Sequence, residues 1–369
     1  MNDILRVVIT ITLFILILGG LVLVHEIGHF VIARLAKVRV LEFGIGFPPR
    51  AKVLRRGGET LYSLNWLPIG GFVKLEGEDG DVVDDPHSFA RQRLPVKLVI
   101  LLAGVAMNLL VAFVIFTGIG LWGEPALGIK IGEVLPASPA AQVGLQPGDM
   151  LVSVNGQQFS VLDQFLDMTG PTDALRSLAG QPVVIGIVHT DGTTGEYTVT
   201  LRVPSNPDQG ALGIGKLTGG EAGTVSYTLG GAAVHGAQQT AAAFQMILKG
   251  LGDLGRSIIT SPTTAPPAAG PVGIAAQIGD IAFNLGPLYL LFMFGLLSAN
   301  LALVNILPFP PLDGGRILVL LLKAIPRVGP RISLRAEQLT YAVGFVALFA
   351  FLIWITVFDI ARQIGGATP

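Results

Sequence analysis

The sequence predicts a polytopic α-helical membrane protein with four transmembrane helices, a β-hairpin loop that re-enters the membrane, and an inserted extracytoplasmic α+β domain. Three observations carry this reading. Of 369 residues, 51% are hydrophobic and 13% charged, with a mean hydropathy of +0.66, whereas a soluble domain is about 25% charged. Apolar runs recur at 4–24, 98–122, 286–308 and 339–358, and roughly 20 such residues cross a bilayer. Between the second and third runs, residues 125–205 change to short alternating stretches broken by Gly, Pro and Asn-Gly, the pattern of a small folded domain. A net charge of −1 argues against nucleic acid as a partner. The absence of cysteine excludes disulfides and thiolate metal ligands.

Residues 1–36 form the first span. Met1-Asn2-Asp3 lacks the positive charge of a signal peptide and no small-residue cleavage site follows, so the span is expected to stay uncleaved. Arg34, Lys37 and Arg39 mark its exit from the membrane. Within 37–97, the stretch 40–76 reads as short β-hairpins with Gly/Pro turns and is too apolar for a surface loop. Either it is a re-entrant loop lining a polar cavity, where non-helical backbone is tolerated, or it is a small cytoplasmic hairpin domain. An acidic stretch, 76–86, precedes the second span at 98–122, where Asn108 is read as a helix–helix hydrogen bond.

In the 125–205 domain, a helix is expected over 164–178, interrupted at Gly170-Pro171, with a final hairpin around Asp191-Gly192. Residues 206–285 are rich in Gly, Ala and Thr, with an amphipathic helix over 234–259 lying on the membrane surface and a Pro-rich linker at 262–271. His87, His189 and His235 each stand alone in their segments and are read as surface or capping residues. The third span, 286–324, is broken by Pro308, Pro310 and Pro311, and the last covers 336–360.

The chemistry concentrates in His25-Glu26-Ile27-Gly28-His29, at the end of the first span. On a helix, residues four apart stand one above the other, so both imidazoles can ligate one metal ion. Glu26 is placed to take a proton from a water whose pKa zinc lowers to about 7. Ionisable groups inside a membrane span are costly and mark function. Eleven Lys/Arg lie in 34–97 and only six in 123–285, so the positive-inside rule places the termini and the inserted domain outside the cytoplasm. His25, His29 and Asp313 then lie at similar depth near the cytoplasmic side. Asp313 is the only acidic residue in 286–322 and is the candidate third ligand; the competing reading is an Asp313–Arg316 ion pair. Asn305 is placed either to hydrogen-bond a substrate or to pack helices.

These motifs resemble the site-2 protease family: HEIGH ending a first span, the Gly44-Ile-Gly46-Phe-Pro loop, and Asn305-x-x-Pro308-x-Pro310-x-Leu312-Asp313-Gly314. The resemblance covers nearly the whole chain and is nearest to the bacterial RseP-type intramembrane zinc proteases. Ser138-Pro-Ala-Ala, Gly144-Leu-Gln-Pro-Gly-Asp149 and Val154-Asn-Gly156 resemble a PDZ domain, single here where the better-known RseP-type members carry two. The resemblance implies Zn2+ held by His25, His29 and Asp313, with Glu26 as base. It implies substrate contacts from Asn305, Pro308, Gly44, Gly46, Gly70 and Gly71, the loop holding an unwound substrate as an added strand. The implied setting is the bacterial inner membrane, and the implied partners are the bilayer, pre-shortened single-span proteins (anti-sigma factors or remnant signal peptides) and a peptide C-terminus in the PDZ groove. Two other readings remain: a metal transporter, which needs polar residues along spans where almost none occur, and a PDZ-bearing scaffold, for which Glu26 would be superfluous.

Overall fold

The computed structural model describes residues 3–78, 85–168, 170–204, 210–261 and 265–365. Parts of the acidic stretch (79–84) and of the Pro-rich linker (262–264) lie outside the described residues. The chain forms two compact units: Phe116–Ala242, and the residues before and after it.

In the split unit, helix α1 (Asp3–Leu35) buries Leu21, His25, Gly28, His29 and Ala33, a stripe repeating every three to four residues along its C-terminal half. Its first half exposes Ile4, Leu5, Val7, Val8, Ile11 and Leu16, an apolar exterior suited to lipid. Strands β1 (Val40–Gly57) and β2 (Thr60–Leu75) follow, paired antiparallel. The expected set of short hairpins is thus two long strands. Each bends instead of ending, so Glu42 pairs with both Lys74 and Leu61, and Gly44 with both Phe72 and Ser63. Gly46, at φ +79°, supplies the bend in β1 without a Cβ clash. Helix α2 (Leu94–Trp122) starts four residues before the predicted 98, since Pro95 is compatible with a first turn and Lys97 reaches back to the Ala90 carbonyl at 2.7 Å.

The Phe116–Ala242 unit is built on a six-stranded sheet. Its strands are β3 (Glu124–Lys130), β5 (Met150–Val154), β6 (Gln157–Gln158), β7 (Pro182–Val188), β8 (Thr194–Thr200) and β10 (Thr218–Val225), in the order β10-β3-β5-β7-β8 with β6 paired to β5; β4 (Glu133–Val134) and β9 (Ile214–Gly215) pair separately. Asn155 and Gly156 both have positive φ, forming the tight turn expected between β5 and β6. Leu127, Ile131, Leu151, Ile185, Ile187 and Leu212 form the heart of its core. Helices α3 (Pro139–Gln142) and α4 (Val161–Phe165) are capped by Ser138 and Ser160, and α5 (Pro171–Ser177) begins at the predicted Gly170-Pro171 break. The first half of the predicted 164–178 helix is displaced: it runs from Val161 only to Phe165, because the Ser160 hydroxyl caps Leu162 N at 3.0 Å and starts the turn earlier. Helix α6 (Leu229–Thr260) leads out of this unit.

Back in the split unit, α7 (Pro271–Asp280) was not expected from the sequence. Its first turn is held by the buried Asp359 carboxylate, which accepts from Gly270 N at 3.1 Å and Gly273 N at 2.8 Å, a partner 89 residues away. After α8 (Pro287–Ile306) the chain breaks at the prolines and resumes as α9 (Asp313–Ala324), then α10 (Leu334–Gly365). The break is tight: a Cβ on Gly314 would stand 2.1 Å from the Ile306 carbonyl oxygen. Four helices, α1, α2, α8 and α10, are long and apolar enough to cross a membrane.

Candidate metal centre

Three side chains from two distant stretches converge. His25 Nε2 and His29 Nε2 lie 3.1 Å apart, and Asp313 Oδ2 is 2.9 Å from the first and 3.2 Å from the second. The histidines are one turn apart on α1, and Asp313 opens α9 directly after the proline break. Both imidazoles are buried, at 5% and 8% exposure. Arg316 pairs with Glu78, so the competing Asp313–Arg316 ion pair does not form.

Helix α2 backs the imidazoles. The Ile100 carbonyl accepts from His29 Nδ1 at 2.8 Å, which puts that ring's proton on Nδ1 and leaves Nε2 as a bare lone pair. Gly104 lies flat against both rings; a Cβ there would be 2.5 Å from His29 Nε2 and 2.6 Å from His25 Cε1. Asn108, read from sequence as a helix–helix hydrogen bond, makes one from α2 to α1, its amide 3.3 Å from His25 Nδ1, while its backbone carbonyl accepts from the Ser298 hydroxyl of α8. Its Oδ1 is buried and has no hydrogen-bond partner among the described residues. Exchanging the amide oxygen and nitrogen lets Oδ1 accept the His25 Nδ1 proton and frees that Nε2 as well.

Glu26 faces β2, where its Oε2 accepts from Val73 N at 3.1 Å. Beside it is a cavity of about 120 Å³ bordered by Glu26, His29, Asp313 and Pro311. Asn305, in the last turn of α8, places its amide 3.4 Å from both ring nitrogens of His25. The four loop glycines divide. Gly70 and Gly71 run against α1, where Cβ atoms would meet Val22 at 2.6 Å and Leu23 at 3.1 Å; Gly44 and Gly46 lie one strand segment farther back, against Phe72 and Leu67. Pro308 stands in the break between α8 and α9. Sequence reasoning missed Ile100, Val73 and Gly104. A carbonyl or an amide of any residue type does these jobs, so only the small-residue run Ala103-Gly104 carried a signal.

The model of peptidase family M50 matches residues 13–351. The chain belongs to that family. Among curated proteins, this M50 peptidase is 31% identical over 92% of its length to a Nostoc sp. protein named "Putative zinc metalloprotease", covering 93% of that relative. It is 27% identical to the zinc metalloprotease RasP of Geobacillus kaustophilus and to that of Bacillus licheniformis, covering 97% and 99% of each. It is a zinc metalloprotease and a multi-pass membrane protein. The converging donors fit its zinc. In a tetrahedron with bonds of about 2.0–2.1 Å, ligand atoms sit about 3.3 Å apart; the three separations here run from 2.9 to 3.2 Å. Two imidazole nitrogens and a carboxylate leave one position for water, the pattern of a catalytic site.

Proposed function

We propose that this M50 peptidase hydrolyses a peptide bond within the membrane, with His25, His29 and Asp313 holding the zinc and Glu26 acting as general base. The observation that carries the reading is the convergence of three donors at 2.9–3.2 Å with a carboxylate one residue from the first of them. Zinc held there supplies positive charge that acidifies a water and polarises a carbonyl. Glu26 takes the proton of the attacking water and delivers it to the leaving amine, which closes the proton balance of hydrolysis. The Val73 N–H fixes the orientation of that carboxylate. The Asn305 amide donates to the substrate carbonyl oxygen.

A transmembrane helix offers no free carbonyl, so the substrate unwinds first, and its backbone groups are taken up by an added strand along β2 near Gly70 and Gly71. On its side-chain face this stretch packs on Val22 and Leu23 of α1. In this reading β1 and β2 form a loop that re-enters the membrane, and residues 125–205, within the Phe116–Ala242 unit, are a PDZ domain outside it that binds a peptide C-terminus or limits access by bulk. The substrates are single-span proteins already shortened outside, of the anti-sigma-factor or remnant-signal-peptide kind, cut in regulated intramembrane proteolysis at the bacterial inner membrane.

The test is cleavage of a truncated single-span protein by the purified enzyme in detergent, with zinc content measured alongside. Glu26→Gln is expected to keep its zinc and lose at least 100-fold in rate, since general-base catalysis contributes about 10²–10⁴-fold. Asp313→Ala is expected to lose zinc. Wild-type turnover by Glu26→Gln would remove the base from the mechanism, and unchanged zinc affinity in Asp313→Ala would remove the third ligand.

A further inference from the structure

His235 does not stand alone. It shares the Phe116–Ala242 unit with two carboxylates that approach it from different elements. Glu124 is the first residue of β3 and Asp163 lies in the first turn of α4. His235 and Gln239 are one turn apart on α6 and so share a face. All four residues are buried: Glu124 and Gln239 at 0% exposure, Asp163 and His235 at 8%.

The distances are those of co-ligands. His235 Nε2 is 3.3 Å from Glu124 Oε1 and 3.5 Å from Asp163 Oδ1, while a charge-assisted N–H···O bond closes to about 2.7–2.9 Å. Donors sharing one ion with bonds of about 2.0–2.2 Å stand roughly 3.0–3.5 Å apart. One ligating atom from each of Glu124, Asp163 and His235 lies within 4.8 Å of the other two. Gln239 Nε2 reaches Asp163 Oδ1 at 2.9 Å and the Glu124 oxygens at 3.3 and 3.4 Å, while its Oε1 is buried without a partner among the described residues. The amide can be reversed, and then Oε1 points into the same space as a fourth donor. Two buried carboxylates face one imidazole, and burial pushes the Asp163 carboxyl up, so a cation held between them would stabilise both charges. The Tyr227 ring stacks on His235, centroids 4.4 Å apart, and holds the imidazole plane.

We propose that Glu124, Asp163, His235 and Gln239 form a second metal site, distinct from the His25–His29–Asp313 centre, that takes a divalent transition-metal ion and clips β3, α4 and α6 together. An imidazole nitrogen among carboxylate and amide oxygens selects zinc, cobalt or manganese over magnesium or calcium, which take oxygen ligands. The site has a complete protein donor set, as structural sites do, so its role is to hold β3, α4 and the first part of α6 together within the Phe116–Ala242 unit.

The experiment counts metal ions in the full-length protein in detergent, stripped with chelator, reloaded with cobalt and freed of excess. Wild type is expected to bind two ions per chain, Asp313→Asn one, His235→Gln one, and the double variant none. One ion in wild type, lost in Asp313→Asn and kept in His235→Gln, would overturn the second site. One ion in wild type, lost in His235→Gln and kept in Asp313→Asn, would uphold it while removing the first. Should His235→Gln fail to fold, the visible cobalt spectrum of Asp313→Asn decides: saturation at one equivalent supports the site, and a featureless titration refutes it.

Discussion

A methyl group at position 104 would stand 2.5 Å from His29 Nε2 and 2.6 Å from His25 Cε1, closer than side-chain atoms pack. Gly104→Ala therefore cannot leave both rings in place. It is expected to lower zinc affinity at least tenfold with the helices intact, measured by competition with a chromophoric chelator; unchanged affinity would mean the rings have slack the geometry does not show. Val73 offers the complementary test, because its contribution is a backbone N–H and not its side chain. Val73→Pro removes that donor, and losing a hydrogen bond to a charged group costs about 1.5–3 kcal/mol. Cleavage is expected to fall about 10–100-fold at constant zinc content, with Val73→Ala near wild type. Equal losses in both variants would point to packing and not to the N–H.

Among the elements, the α1–α2 pair sets the depth and spacing of the site. Gly28 lies where α1 crosses α2: a Cβ would stand 2.4 Å from the Ala103 carbonyl oxygen and 3.0 Å from Gly104 Cα. Small residues at such crossings let helix backbones approach closely in membranes. Gly28→Ala is expected to destabilise the protein by about 1–3 kcal/mol, the usual cost of overpacking, seen as a lower thermal midpoint in detergent. Gly20→Ala is the control. Nothing lies within 4 Å of its Cβ position, so it is expected to be neutral or slightly stabilising through helix propensity. A fall in both would mean that glycine is required for flexibility and not for close approach. The strands show the limit of local pattern: Gly46 and the Pro48-Pro49 pair read as turns, yet the structure uses them to bend one long strand, because pairing on both sides of residues 42–45 continues through the bend.

For the whole molecule, the charge asymmetry of the loops predicts the orientation in the membrane, and the cysteine-free sequence makes it measurable. Gly192→Cys, at the tip of the β7–β8 hairpin, is expected to react with a membrane-impermeant thiol reagent in intact cells. Gly58→Cys, in the β1–β2 turn, is expected to react only after the membrane is opened; the reverse result would invert the proposed topology. How much was legible in advance follows from where each signal resides. Hydropathy and the four-residue spacing of His25 and His29 are properties of contiguous chain, so the sequence by itself determined four helices long and apolar enough to cross a membrane and two imidazoles with an adjacent carboxylate. Asp313 could be named, as the sole acidic residue of its span, but 284 residues separate it from His29, and only the fold brings them within 3.2 Å. The roles of Ile100, Val73 and Gly104 were decided by tertiary structure alone, since they rest on backbone atoms or on missing ones, which residue type does not advertise. The same holds for His235: alone in its own segment, it acquires Glu124 and Asp163 only when β3, α4 and α6 pack together, because a cluster drawn from three elements has no spacing for a sequence to display.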